Sequence, residues 1–295
     1  MHQMLFSKVD GGLKEEQHEP VRKSRHTSQQ IMDDRHFQQL LEYLGLSWAG
    51  YRKVRKGVKK RIARHMEQLG CRSMEEYILI LNEKEGLRLA CEQLMTVSIS
   101  RFFRHLALWH ILGNDILPGI IKKNVAPLKV WSAGCACGEE VYSFKIVWER
   151  LRDQFEPLPA LEMLATDMNP IYLDRARAGI YPRSSLREVP KEIRPIYFEP
   201  QKGKKHFAVR SFLKEGISWK VQHFFLDVPE KRFHFIFLRN SLLTYYESEL
   251  RELAFQKVVD RLEPGGFLII GAHEKIPSPA SNLTPFRGNP WIFQS

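Results

Sequence analysis

The sequence has few cysteines and no long run of apolar residues, and each absence excludes a class of protein. Four cysteines in 295 residues cannot form a disulfide framework, and Cys135 and Cys137 stand two positions apart, which is not a zinc-ligand spacing. No apolar run approaches the roughly 18 residues of a membrane-crossing helix, and no secretory signal follows Met1. We therefore expect a reduced, soluble, cytoplasmic chain with no metal site and no direct membrane insertion.

The charge of the chain is its one extreme property. Lysine and arginine number 45 against 34 aspartates and glutamates, so the formal net charge is +11. Eight of the fifteen residues at 51–65 are lysine or arginine. A basic balance suggests an acidic partner such as nucleic acid, an anionic membrane or an acidic protein surface. The same run is also typical of a solvated helix face, and both interpretations stay open.

The first third of the chain is predicted to be a tail followed by helices. Residues 1–30 are polar without periodicity and are expected to be a mobile tail. Residues 31–110 are predicted to form a small all-helical domain, because an apolar stripe and a capping box at 73–76 (SMEE) mark helices there. The repeat Val54, Val58, Ile62 and Met66 should turn the basic side chains of 51–65 outward. These outward residues are Arg52, Lys53, Arg55, Lys56, Lys59 and Lys60.

After a linker helix region at 111–127, strands alternate with helices. Strand-like runs lie at 128–133, 161–166, 219–226, 233–238 and 267–270. Such alternation predicts an α/β domain at 128–295 with a parallel, Rossmann-like sheet covered by helices on both faces. The stretch 182–220 interrupts the rhythm and is predicted to be a small inserted β-hairpin subdomain.

Polar residues follow four of these strands in order. They are a loop with Gly134, Gly138, Glu139 and Glu140, then Asp167, then Asp227, and finally Arg239 with Asn240. Ligands of open α/β sheets bind at the carboxyl ends of strands, and glycine lets the backbone approach them closely. A carboxylate at Asp167 can accept both hydroxyls of a ribose, and Asp227 could accept from an adenine amino group. The four positions together predict a site for an adenosine-containing cofactor.

The loop narrows the choice of cofactor. It is not Gly-x-Gly-x-x-Gly, which argues against a dinucleotide, and it lacks the Gly-Lys-Ser/Thr of a P-loop. S-adenosylmethionine fits better, because it carries adenosine, no phosphate, and an amino-acid end that needs both signs of charge. A glutamate can meet its ammonium group, and backbone N–H groups can meet its carboxylate.

Several runs resemble one known family, the chemotaxis receptor methyltransferases, or CheR family. The resemblance extends from about Phe37 to about Ile276. The runs are 98–104 (SISRFFR), 131–140 (WSAGCACGEE), 165–167 (ATD), 179–181 (GIY), 237–240 (FLRN) and 264–266 (PGG) with 271–274 (GAHE). The resemblance implies a class I S-adenosylmethionine-dependent methyltransferase sheet and transfer of methyl groups to glutamates of receptor helices. With the glycine-loop position Gly134, the implied cofactor contacts are Ser98, Ser100, Arg104, Glu140, Asp167, Asp227, Val228, Arg239 and Asn240.

The sequence also departs from the family pattern. Ser98 stands where asparagine is frequent, Ser100 replaces threonine, and Cys137 precedes Gly138 where threonine or serine is usual. Thr244 occupies the usual tyrosine position, with Tyr245 one residue later. These changes resemble a divergent branch, keep cofactor binding, and leave the receptor substrate open.

The chemistry can be argued from the acceptor alone. A glutamate is ionised at neutral pH, with an unperturbed pKa of about 4.3, and needs no general base to attack a methyl group. The remaining work is alignment in a water-excluded site. Arg104 is the candidate for holding a carboxylate, and Tyr245 for positioning the substrate. A structural arginine or a buried core tyrosine is the alternative for each. The basic segment 51–65 would suit an acidic receptor helix.

Three functions are compatible with these residues. The first is protein-glutamate O-methyltransferase. The second is a cofactor-binding regulatory or signalling module with little turnover, which the departures from the family motivate. The third, a nucleic-acid methyltransferase, is motivated by the charge. However, Asn240 is followed by Ser-Leu-Leu and not by the Pro-Pro-Tyr/Phe of many amino-group base methyltransferases, so we expect no nucleic-acid partner.

Overall fold

The described part of the chain begins after the predicted tail. The structure, a computed structural model, describes residues 32–123, 127–277 and 282–295. The tail at 1–30 and residues 124–126 of the predicted linker therefore lie outside the described residues.

Five helices form the first part of the described chain. They are α1 (Asp34–Leu44), α2 (Trp48–Tyr51), α3 (Arg55–Gln68), α4 (Met74–Glu83) and α5 (Glu85–Met95). The apolar stripe of α1 is buried as predicted, the Asp33 carboxylate caps its first turn, and Gly45 ends it with a left-handed φ of 64°. The Ser73 side chain accepts from the Glu76 N–H, which confirms the predicted start of α4.

The basic segment 51–65 forms most of α3, and one of its lysines points inward. Val58 and Ile62 are buried, as their spacing predicts. Lys59 is an exception to the expectation that the basic companions lie largely on the outer faces, because it is only 7% exposed. Its ammonium group pairs with the Asp34 carboxylate at 2.5 Å, so the buried lysine keeps a partner for its charge.

Seven more helices follow in the part of the chain that the structure describes. They are α6 (Leu106–Ile111), α7 (Leu117–Lys122), α8 (Glu139–Arg150), α9 (Pro170–Ala178), α10 (Arg194–Tyr197), α11 (Leu242–Tyr245) and α12 (Ser248–Val259). A single turn of π-helix, Leu112–Ile116, joins α6 to α7. The core of the first five helices runs from Met32 to Met95, whereas Leu108 and Trp109 of α6 pack into the core of the sheet. This helical core therefore ends before position 110, where the predicted helical domain ends. The division of the chain into domains stays a prediction.

Within the described residues, ten strands form two sheets. They are β1 (Leu128–Ala133), β2 (Leu161–Asp167), β3 (Ile180–Pro182), β4 (Phe198–Pro200), β5 (His206–Val209), β6 (Ile217–Val221), β7 (Phe233–Leu238), β8 (Leu262–Ile270), β9 (Thr284–Pro285) and β10 (Ile292–Gln294). The large sheet has the order β6-β2-β1-β7-β8-β10-β9. Its first five strands are parallel, and β10 runs antiparallel to both β8 and β9. The predicted α/β architecture is confirmed.

Two expectations about the middle of the chain need correction. The third strand of the parallel set is Ile217–Val221, so it ends six residues before Asp227 and not at it. Because β6 pairs with β2 in the large sheet, the insertion cannot extend to 220 as predicted. The inserted sheet has the order β3-β5-β4 and contains the expected hairpin between β4 and β5.

No helix of the described residues combines the length and the apolar character that a membrane span requires.

Candidate active site

A cavity of about 870 Å³ lies at the carboxyl ends of the parallel strands. The strand order reverses direction at β1, because β2 lies on one side of it and β7 on the other. Such a switch point is where open α/β sheets bind ligands, and this volume is within the range of small-molecule pockets. Residues of α1, α2, α4 and α5 line the opposite wall, including Leu44, Tyr51 and Leu81.

The glycine loop after β1 forms the floor of the cavity. Gly134 has a φ of 81°, and a Cβ there would lie 2.8 Å from the Ser241 Cβ, so only glycine fits. The N–H groups of Gly134 and Cys135 both donate to the Thr166 carbonyl. The Ala136 N–H donates to an Asp167 carboxylate oxygen at 2.9 Å. These three amides already have partners within the protein, contrary to the expectation that backbone N–H groups of this loop meet the cofactor carboxylate.

Glu140 stands at the start of α8 and faces the cavity. One of its oxygens accepts from the Ser132 hydroxyl at 2.8 Å, and the other from Arg239 Nη1 at 3.0 Å. The side chains of Arg239 and Glu140 are only 4% and 15% exposed, so little water screens the pair. Arg239 Nη2 also donates to the Arg104 carbonyl at 3.0 Å, which ties the loop before α6 to the end of β7.

Asp167 ends β2 and is 8% exposed. Its two oxygens accept from the N–H groups of Ala136 and Asn169, each at 2.9 Å. Burial raises the pKa of Asp167 to about 6, and these two hydrogen bonds only partly offset that effect. Asp167 therefore offers a carboxylate to the cavity at neutral pH and takes up a proton in mild acid.

The end of β7 is held in an unusual conformation. Asn240 has a positive φ of 52° and lines the cavity. Its N–H donates to Glu274 Oε2 at 2.9 Å, and the Gly271 N–H donates to the same oxygen at 2.7 Å. The other Glu274 oxygen accepts from the Thr244 hydroxyl. Glu274 thus holds both ends of the segment 240–244, which immediately precedes Tyr245.

Arg104 and Tyr245, the predicted catalytic residues, line the same cavity. Arg104 Nη1 donates to the Ile99 carbonyl at 3.0 Å, which folds the 99–104 segment over the cavity. Burial and the nearby Arg239 lower the pKa of Arg104, although a guanidinium keeps its charge in a protein. Burial raises the pKa of Tyr245, and the positive charge of Arg104 partly counters the rise.

Most predicted cofactor residues converge on the cavity. Those lining it are Ser100, Arg104, Gly134, Glu140, Asp167, Arg239 and Asn240. Glu139, which the sequence left undecided, points away from it: its side chain accepts from the Ser185 hydroxyl at 3.4 Å and is buried. Phe102 and Phe103 are core residues, with 0% and 3% exposure.

Ser98, Asp227 and Val228 do not line the cavity in the described part of the chain. Asp227 is exposed and pairs with Lys220 at 2.6 Å. Its predicted place at a strand end is wrong, because the strand stops at Val221 and the following residues leave the sheet. Val228 packs instead against the core on one face of the sheet.

Gln222, His223 and Phe224 occupy the place predicted for Asp227, and sequence reasoning missed them. The strand-like run 219–226 suggested one uninterrupted strand, although the polar pair Gln222-His223 inside it was a signal for a strand end. His223 Nε2 pairs with Glu92 of α5 at 3.3 Å and so connects the sheet to the helical wall. Although burial acts to raise it, His223 and Arg88 bring the pKa of Glu92 below its usual value.

The polar side chains that line the cavity fit S-adenosylmethionine. Asp167 can accept from ribose hydroxyls, Glu140 can meet an ammonium group, and Arg104 can meet a carboxylate. The roles of the individual residues stay predictions.

Comparison with known proteins decides the family. Residues 98–290, more than half of the 295-residue chain, match the family model described as CheR methyltransferase, SAM binding domain. The chain belongs to the CheR methyltransferase family. It is therefore an S-adenosylmethionine-dependent methyltransferase, and the predicted family resemblance and cofactor are confirmed.

Curated relatives are similar over most of their length. A chemotaxis protein methyltransferase of Listeria innocua is 31% identical over 237 residues, which cover 80% of this chain and 87% of that protein. Chemotaxis protein methyltransferase 1 of Pseudomonas aeruginosa is 28% identical over 229 residues, covering 74% and 81%. Among solved structures, an amino pentose methyltransferase of Micromonospora echinaspora covers 55% of this chain and 50% of its own, with 13% identity and a TM-score of 0.32. So distant a likeness says nothing about the substrate.

Proposed function

We propose that this CheR family member transfers the methyl group of S-adenosylmethionine to glutamate side chains of a chemoreceptor. Family membership and relatives named chemotaxis protein methyltransferases support this function. The observation that carries it is that Glu140, Asp167, Arg104 and Tyr245 all line one cavity at the switch point of the sheet.

The acceptor needs no activation by the protein. A glutamate is already ionised near neutral pH, so the site has to align it and exclude water. S-adenosylmethionine, when bound, supplies a methyl group on a positively charged sulfur, and transfer to a carboxylate oxygen yields a neutral ester and S-adenosylhomocysteine. The wall formed by α1, α2, α4 and α5 opposite the sheet helps to keep water from this site.

Two side chains carry the alignment. Arg104 offers charge-assisted hydrogen bonds to a carboxylate, either of the cofactor or of the acceptor. The Tyr245 hydroxyl stays protonated because burial raises its pKa, so it can donate one hydrogen bond to the acceptor carboxylate.

The basic segment 51–65 supplies the surface for the receptor. Lys53 and Lys56 are exposed, and they border a shallow hollow with Arg52, Arg55, Lys59 and Asp34. Five cations around one carboxylate attract an acidic helix, so we propose that the glutamate-rich receptor helix docks here.

A cytoplasmic location is consistent with the four free cysteines, two of which flank the glycine-loop residue Ala136.

The test is methyl transfer from S-adenosylmethionine labelled in its methyl group. The purified full chain is mixed with the cytoplasmic fragment of a chemoreceptor, and the labelled fragment is treated with mild base. A carboxyl methyl ester releases labelled methanol, which is the expected result. Label that resists base, or label carried by added DNA or RNA, would contradict the proposal. Binding of S-adenosylhomocysteine without any transfer would point to the regulatory alternative.

A further inference from the structure

The segment that carries Tyr245 is bound to the helical part of the molecule by backbone contacts. The Ser47 N–H donates to the Tyr245 carbonyl at 2.8 Å, and the Glu247 N–H donates to the Gly45 carbonyl at 3.0 Å. Leu46 and Tyr246 form an isolated antiparallel bridge between these two bonds. Residues about 200 positions apart thus form one short ladder beside the cavity, which fixes the main chain of Tyr245.

Gly50 allows α2 to approach this segment closely. A Cβ at position 50 would lie 2.1 Å from the Thr244 carbonyl oxygen and 3.3 Å from the Tyr245 Cα. The first distance is far below a van der Waals contact, and its partner is backbone, which cannot rotate away. Any side chain at this position therefore has to push α2 and α11 apart.

Tyr51, the last residue of α2, holds the ring of Tyr245. The two ring centroids lie 4.9 Å apart with the rings tilted by 54°. Tyr51 is 3% exposed, and its hydroxyl donates to the Met95 carbonyl at 3.1 Å. Because Tyr51 is fixed by burial and by this hydrogen bond, it offers a rigid surface to the Tyr245 ring.

We propose that Gly50 and Tyr51 are positioning residues that hold the Tyr245 side chain in the orientation in which it meets the methyl acceptor. The inference rests on the proposed function, since it assigns the two residues to the same reaction. It gives α2 a role in turnover that is separate from the charge of the neighbouring basic segment.

The test compares Gly50→Ala and Tyr51→Phe with Gly119→Ala, an exposed glycine of α7 with no atom within 4 Å of an added Cβ. The full-length proteins are assayed for kcat and for KM of the receptor fragment, and for Kd of S-adenosylhomocysteine. Gly50→Ala should lower kcat about tenfold to a hundredfold, because small misplacements cost that much, with KM and Kd nearly unchanged. Tyr51→Phe keeps the ring and should lower kcat less. Gly119→Ala should behave as wild type.

Each substitution is then combined with Tyr245→Phe. If the two residues act through the Tyr245 hydroxyl, a double variant is no slower than Tyr245→Phe alone. Rate losses that multiply, or a normal kcat in Gly50→Ala, would overturn the inference. If Gly50→Ala does not fold, the single variants Tyr51→Phe and Tyr245→Phe are compared with their double variant. Rate losses that multiply in the double variant would again overturn the inference. Failure of the proposed function is distinguishable, because wild type itself would then transfer no methyl group to the receptor fragment.

Discussion

The ion pair of Glu140 and Arg239 is expected to stabilise the fold as well as face the cofactor. The Arg239 side chain is 4% exposed, and Glu140→Ala would leave its charge buried without this partner. Losing one member of a buried pair costs about 3 kcal/mol or more in the free energy of unfolding, measured by urea denaturation. Asp174→Ala breaks the exposed pair with Arg177 and should cost about 0.5 kcal/mol or less. Equal losses for the two variants would contradict this account of the site.

Asp167 predicts a pH dependence of cofactor binding. Burial raises the pKa of its carboxyl to about 6, and the ionised form is the one proposed to accept both ribose hydroxyls. A proton therefore competes with the cofactor below pH 6, and the Kd of S-adenosylhomocysteine should rise about tenfold per pH unit there. Above pH 7 it should be constant. Equilibrium dialysis between pH 5 and pH 8 measures this, and Asp167→Asn should remove the dependence. A Kd that is flat in wild type would show that Asp167 is not the group that binds ribose.

The polar side chains of the cavity were predicted correctly wherever the end of the preceding strand was predicted correctly. Glu140, Asp167 and Asn240 follow strands whose last residues were predicted within one position. The predicted position of Asp227 was wrong because the apolar residues Phe224 and Phe225 follow the end of the strand. They lie in a loop and pack against the core. Apolar character indicates burial, and burial alone does not distinguish a strand from a loop that covers it.

The proposal that the basic segment 51–65 binds the receptor helix gives a prediction for helix α3. Exposed Lys53 precedes the helix and exposed Lys56 lies in its first turn, so the pair should attract an acidic receptor helix. Replacing both with glutamate should raise KM for the receptor fragment on the order of tenfold at low salt, and less at high salt. The Kd of S-adenosylhomocysteine should not change.

The control is Lys231→Glu, an exposed lysine at the amino end of β7, away from the strand ends that form the cavity. It is compared with the single variants Lys53→Glu and Lys56→Glu, so that the change in net charge is the same. It changes the net charge without touching α3. An equal rise of KM in this variant would mean that overall charge, and not the basic segment, attracts the receptor.

Long elements were predictable and short ones were not. The apolar periodicity of α1 and the buried run of β1 extend over enough residues to be recognised. Strands β9 and β10 have two and three residues, too few for any alternation to show, and they were not predicted. Lys59 was misplaced for another reason: its inward position depends on Asp34, a partner 25 residues away.

At the scale of the whole molecule, the cavity is formed by two parts of the chain that were predicted separately. The strand ends supply Glu140 and Asp167, and the helices α1, α2, α4 and α5 supply the facing wall. The sequence predicted both parts and the cofactor. It did not predict how they meet, because contacts such as Gly50 with Thr244 and Glu92 with His223 are long-range and leave no periodic signal.

The central claim is that this cavity binds S-adenosylmethionine, and calorimetric titration tests it most directly. Wild type, Asp167→Ala and the exposed-site control Asp174→Ala are titrated with S-adenosylmethionine and with S-adenosylhomocysteine at pH 7.5, after thermal denaturation has shown that all three are folded. We predict binding by wild type and by the control, and an affinity about a hundredfold lower for Asp167→Ala, which lacks two hydrogen bonds to a charged group. Folded wild-type protein that binds neither ligand, or an Asp167→Ala variant that binds as tightly as wild type, would contradict the account.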